Sequence, residues 1–153
     1  MSSLETKLNP LKTTAQMQAY QYKGLRDPQE VRLLILDPGS GLDSIRCQLK
    51  HVLLSSNPSF EALSYAWGDS SKPRKIFCEG KPIAVTESLF TALQYLRYAD
   101  RKRVIWADAV CINQVDTREK EIQVPLMRQI YSQASLVVGH LQTEGMLSVG
   151  LLI

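Results

Sequence analysis

The chain is short of the residues that usually announce chemistry. It has two histidines, His51 and His140, and neither lies in a Gly-x-Ser-x-Gly or Cys/His context, so no nucleophile triad is written in it. It lacks G-x-G-x-x-G and the P-loop pattern, which excludes the standard glycine cradles for phosphates. Its three cysteines, Cys47, Cys78 and Cys111, lie about thirty residues apart with no Cys-x-x-Cys pair. That spacing argues against a zinc site and a disulfide framework. It leaves buried, reduced thiols and fits a reducing, cytoplasmic compartment. No metal site and no cofactor is evident. Long apolar runs are missing too: none approaches the roughly 20 residues of a membrane span, and Met1 to Lys7 lacks the pattern of a signal peptide. The net charge is only +3, too mild for a nucleic-acid signature. The basic clusters Lys72-Pro73-Arg74-Lys75 and Arg101-Lys102-Arg103 read as solvated loops.

What is present is a globular composition: 153 residues, 44% hydrophobic and 22% charged. A domain of this size buries roughly 70% of the surface its unfolded chain exposes. Residues 1–24 read as a loosely ordered leader. Val31 to Leu36 is an apolar strand closed by a turn at Asp37-Pro38-Gly39. Ile45, Cys47 and Leu49 alternate with polar residues, as in a half-exposed strand. Phe60 to Trp67 reads as a central strand, and Lys75 to Val85 as a β-hairpin turning at Glu79-Gly80. Leu89, Ala92, Leu93 and Leu96 keep helical spacing behind a Thr86 cap. Val104 to Ile112 reads as a second buried strand. Ile122, Leu126, Ile130 and Ala134 form a helical stripe, interrupted at Pro125, which should kink it. Leu136 to Leu141 reads as a further strand. The order ends in a βαβ unit, with the two buried runs as neighbours in a sheet covered by helices on both faces.

Those two runs hold carboxylates, and a charge in apolar surroundings must be paired or hydrogen-bonded. Asp108 has two readings: it orders its own loop, or it lies at the strand's C-terminal edge, where ligands of open α/β sheets bind, with Asn113 and Gln114 beside it. Glu61, on a face with Leu63, Tyr65 and Trp67, is either a general acid or base with a raised pKa, or an exposed strand start. Glu119 either completes a capping box with Asp116 or sits beside a cleft as an acting carboxylate. Trp67-Gly68-Asp69 is a tight strand exit in which Gly68 allows a positive φ or the close approach of another backbone.

Taken together, the blocks Glu61-Ala62-Leu63-Ser64-Tyr65-Ala66-Trp67-Gly68-Asp69 and Ile105-Trp106-Ala107-Asp108-Ala109-Val110-Cys111-Ile112-Asn113-Gln114 resemble the fungal heterokaryon incompatibility (HET) domain. Ile83, Val85-Thr86, Leu89, Asp116, Glu119 and Ile130-Tyr131 continue the resemblance, which covers about residues 20–141. It implies a role in fungal non-self recognition and programmed cell death, with self-association or other cell-death proteins as partners. It also implies a TIR-like, flavodoxin-like open α/β sheet with flanking helices and a hairpin. By the TIR analogy, NAD is a substrate to consider, with Glu119 or Glu61 as the catalytic carboxylate. Tyr65, Trp67, Gly68, Asp69, Trp106, Asp108, Cys111, Asn113 and Gln114 are then the residues expected to bind ligand or shape the site.

The chain departs from the family where its last strand usually ends in Trp-Leu-Gly and here reads His140-Leu141-Gln142. Family domains continue well beyond this point. The expectation is therefore a HET-like domain over residues 25–142, an atypical tail over 143–153, and a sheet incomplete at its C-terminus. An unpaired edge with exposed apolar surface would favour association.

Overall fold

The computed structural model describes residues 18–65, 71–143 and 146–151, the stretch from residue 140 as backbone. Eight strands form one sheet: β1 (Glu30–Leu36), β2 (Arg46–Leu53), β3 (Glu61–Tyr65), β4 (Arg74–Cys78), β5 (Lys81–Val85), β6 (Arg103–Trp106), β7 (Leu136–Thr143) and β8 (Met146–Leu151). Among the described residues three α-helices accompany them, α1 (Glu87–Leu96), α2 (Asp108–Cys111) and α3 (Thr117–Gln133), with a 3-10 turn at Leu54–Ser56. The strand order is β5-β4-β2-β1-β6-β3-β7-β8. The sheet is mixed. β3 runs parallel to both β6 and β7, and β2 runs parallel to β4. The remaining neighbours are antiparallel.

Local chemistry explains the expected elements. The hairpin turns on Glu79 and Gly80, whose φ angles of 50° and 79° match the positive values a two-residue turn of this hand requires. α1 starts where Thr86 Oγ1 accepts the Leu89 N–H at 3.2 Å. Its stripe of Leu89, Ala92, Leu93 and Leu96 is buried, each leucine contributing about 1.5–3 kcal/mol. On β2, Cys47 and Leu49 are buried while Arg46, Gln48 and Lys50 are exposed, the alternation of a half-covered strand.

The two carboxylate-bearing runs are neighbours as expected, with Glu61 opposite Ile105 and Ala62 opposite Trp106. Helices cover both faces at β6. Arg103 Nη1 donates to the Leu96 carbonyl at the end of α1, at 2.8 Å. Trp106, one position out of phase with Ile105, meets Tyr131 of α3 edge to face at 5.6 Å. The approach segment is tied to the same body: the Tyr20 N–H donates to Pro82 O at 3.1 Å, and Tyr22 Oη donates to Val110 O at 2.6 Å.

Two expectations need correction. The run from Val104 to Ile112 is not one strand. β6 stops at Trp106, Ala107 is extended, and the chain then makes the single turn of α2, closed by Cys111 N–H to Ala107 O at 2.8 Å. Turning back buries Val110, Cys111 and Ile112 as fully as a strand would, so apolarity alone does not distinguish the two. Asp108 therefore does not share a strand face with Trp106. In α3 the inward stripe is rotated: Ile122 is 51% exposed, while Gln123 is completely buried and donates to Glu30 O at 3.0 Å. The helix runs continuously through Pro125.

Candidate functional site

Tyr65 and Trp106 are the last residues of β3 and β6, so both stand at the C-terminal ends of parallel strands. In open α/β sheets this is the end that binds ligands. Asp108 follows at the first position of α2, half-buried, and Tyr131 arrives from α3. These residues sense one another. Burial pushes the Tyr65 phenol well up, and the Asp108 carboxylate pushes it further. Tyr131 moves the same way for the same two causes. The Tyr65 hydroxyl and the Trp106 indole N–H are both buried, and neither finds a hydrogen-bond partner among the described residues. A buried polar group left unpaired costs about 1–3 kcal/mol. Other buried polar atoms, Arg32 Nε and Gln133 Oε1 among them, also lack a partner, but these two stand together at the strand ends.

Glu119 stands in a different setting. It is 8% exposed, and Arg32, fully buried on β1, holds it in a fork: Nη2 to Oε1 at 2.6 Å and Nη1 to Oε2 at 2.9 Å. The Asn113 N–H also donates to Oε2, at 2.5 Å. Arg32 continues to Cys111 O at 3.1 Å and Lys23 O at 2.7 Å, and its guanidinium lies 4.9 Å from the Tyr22 ring centroid. Half of the expected capping box forms: Asp116 accepts the Glu119 N–H at 3.1 Å. The reciprocal half does not, because the Glu119 carboxylate is taken by Arg32 and Asn113, and the Asp116 N–H donates to Asn113 O instead.

Glu61 lies at the other end of β3 from Tyr65, in register with Ile105. It opens β3, where Arg103 grips it with Nε to Oε2 at 2.5 Å and Nη2 to Oε1 at 3.2 Å. Glu61 and Asp108 thus form no common site. Gln114 Nε2 donates to Asp108 O at 2.9 Å, which ties the loop after α2 back to its first turn. Asn113 and Gln114 also line a cavity of about 440 Å³ with Tyr20, Tyr22 and Val85. The Cys111 thiol is pushed by burial up to about 12, which leaves it a core thiol rather than a nucleophile. Trp67, Gly68 and Asp69 lie outside the described residues.

Sequence reasoning missed Arg32 and Tyr131. Arg32 had a signal: it is the one charge inside Val31-Arg32-Leu33-Leu34-Ile35-Leu36, and the reasoning applied to Glu61 and Asp108 applies to it equally.

A family model described as heterokaryon incompatibility protein (HET) matches residues 60–151. The chain belongs to the HET family. It is 39% identical over 135 residues to "Heterokaryon incompatibility protein 6, OR allele" of Neurospora crassa, an alignment covering 78% of the chain and 20% of that protein. The chain thus spans about a fifth of the length of that curated relative. No solved structure matches it. The HET match takes in β3 through β8, hence the rim of Tyr65, Trp106, Asp108 and Tyr131 and the carboxylate of Glu119. Arg32 lies before the matched span, so the HET region leans on β1 for the partner of its buried glutamate. No helix among the described residues is long and apolar enough to cross a membrane.

Proposed function

We propose that this chain forms the HET module of a cytoplasmic fungal protein of non-self recognition, whose engagement leads to programmed cell death. The observation that carries this reading is the family match over residues 60–151, with the Neurospora relative in support. The module acts by assembly, with further copies of itself or with other cell-death proteins. The rim of half-buried Tyr65, Asp108 and Tyr131 over the fully buried Trp106 is the surface it presents to a ligand or partner. Two buried polar atoms with no partner among the described residues support that choice. A TIR-like architecture belongs to the same reading, supported by the parallel triplet β6-β3-β7 with helices on both faces. So does a sheet completed by further chain, supported by the 20% coverage of the relative.

Induced expression in a filamentous fungus is the test. Growth arrest with dye uptake is expected, and it should be lost in Tyr65→Phe at equal protein level. Normal growth of the strain at confirmed high protein level sinks the reading. Glu119 and Glu61 each have both oxygens engaged by an arginine, so the purified chain is expected to leave NAD intact. Nicotinamide release by the wild type that disappears in Glu119→Gln would restore a catalytic role.

A further inference from the structure

Two thiols meet at the seam that joins the hairpin to the rest of the sheet. β2 and β4 pair through two residue pairs only, Arg46 with Phe77 and Cys47 with Cys78. Both cysteines are free, and they are 2% and 0% exposed. In-register neighbours on a parallel ladder point to the same face, and adjacent strands lie about 4.8 Å apart. That spacing falls inside the roughly 4.4–6.8 Å between α-carbons that a disulfide bridges. Cys111 is differently placed: its Sγ accepts from the Ala107 N–H at 3.4 Å.

We propose that Cys47 and Cys78 are a reversible oxidation site, forming an intramolecular disulfide on contact with hydrogen peroxide and so clamping the β4–β5 hairpin to β2. The two sulfurs are held differently. The Cys78 thiol is held below its ordinary range, first by the hydrogen bond from Cys47 and further by bonds from the Tyr20 hydroxyl and the Leu49 backbone. Cys47 is pushed the other way, first by that same hydrogen bond and then by burial. Either sulfur can attack first, and the crosslinked product is the same. With Cys78 attacking, its thiolate takes one peroxide oxygen, the O–O bond breaks, and hydroxide leaves from a sulfenic acid at Cys78. The Cys47 sulfur then attacks that sulfur, the S–O bond breaks, and the departing hydroxide takes up the thiol proton as water. Two thiols are oxidised to one disulfide, and the peroxide is reduced to two waters. Tyr20, whose hydroxyl helps hold the Cys78 thiol down, also lines the cavity of about 440 Å³ beside Ile83 and Asn113.

The test is peroxide treatment of the purified, reduced chain, followed by non-reducing peptide mapping and thermal melts. The expected result is a single crosslinked peptide pair joining Cys47 to Cys78, with loss of two hydrogens, and Cys111 still open to alkylation after unfolding. The melting temperature should rise by several degrees and return on reduction. Cys111→Ala should behave as wild type, and Cys47→Ala and Cys78→Ala should each form no internal crosslink. Crosslinks through Cys111, crosslinks only between chains, or over-oxidation of Cys78 in the wild type without a bridge overturn the proposal. The wild-type map decides the matter even if a cysteine variant fails to fold.

Discussion

The Arg32–Glu119 centre and the Tyr65–Trp106 rim are both buried and both polar, but only at the centre is the main chemistry paired, with Arg32 Nε alone left over. At the centre, each Glu119 oxygen meets the arginine fork, and Arg32 reaches two backbone carbonyls besides. At the rim, a phenol and an indole N–H are buried without a partner among the described residues. A closed ion pair orders the elements that contribute to it, here β1, the turn after α2 and the start of α3. Unpaired groups leave free energy to be gained when something binds. The difference teaches that burial of a charge does not by itself mark a working site. What sets the rim apart is two partnerless polar atoms together at the C-terminal ends of parallel strands.

The comparison breaks most visibly at the centre. Glu119→Ala leaves Arg32 charged, fully buried and unpaired, and should cost about 3–5 kcal/mol in denaturant titrations. The double change Arg32→Met with Glu119→Leu should recover most of that loss. If the double variant is as unstable as the single one, the ion pair is not the reason. Alkaline titration comes next. The Tyr20 phenol is raised from 10.0 to about 12 and the Cys111 thiol from 9.0 to about 12, each mainly by burial. A group whose folded pKa lies above its unfolded one contributes stability fully below the unfolded value and loses it as pH rises toward the folded value. Melting temperatures should therefore decline from about pH 9 to about pH 12. A flat profile across that window would contradict the burial of both groups.

Smaller effects sharpen the contrast. Thr86→Ala removes the α1 cap and should cost about 1 kcal/mol, restored in part by Thr86→Ser. Glu61→Gln weakens a pair whose side chains are 22% and 15% exposed, and a loss of about 1 kcal/mol is expected, shrinking in high salt. Tyr65→Phe sits at the bottom of the scale. Removing a hydroxyl without a partner should leave stability unchanged or raise it slightly. A clear loss of stability there would mean the hydroxyl is part of the fold.

Much of this architecture was legible in the residues. The Glu79-Gly80 turn, the Thr86 cap and the pairing of the two carboxylate-bearing runs all follow from local chemistry and hydrophobic period. The end of β6 was not legible. Ala109 to Ile112 is apolar enough for a strand or for one helical turn, and the choice depends on the chain folding back over β1. Ile122 and Gln123 exchanged places for a similar reason. The amide of Gln123 is buried because a backbone carbonyl on β1 awaits it, which helical period cannot show. Glu119 was read either as half of a capping box or as a carboxylate beside a cleft; half the box forms, and Glu119 also lines a cavity of about 310 Å³ with Asp116 and Arg118. Its arginine lies 87 residues earlier in the chain, beyond the reach of any spacing rule.

The most direct measurement pairs the two regions in one experiment: denaturant stability and fungal growth for Tyr65→Phe, with expression matched to wild type. The expected result is unchanged stability together with loss of growth arrest. Arrest that persists at wild-type strength in Tyr65→Phe would contradict the assignment of the rim as the working surface.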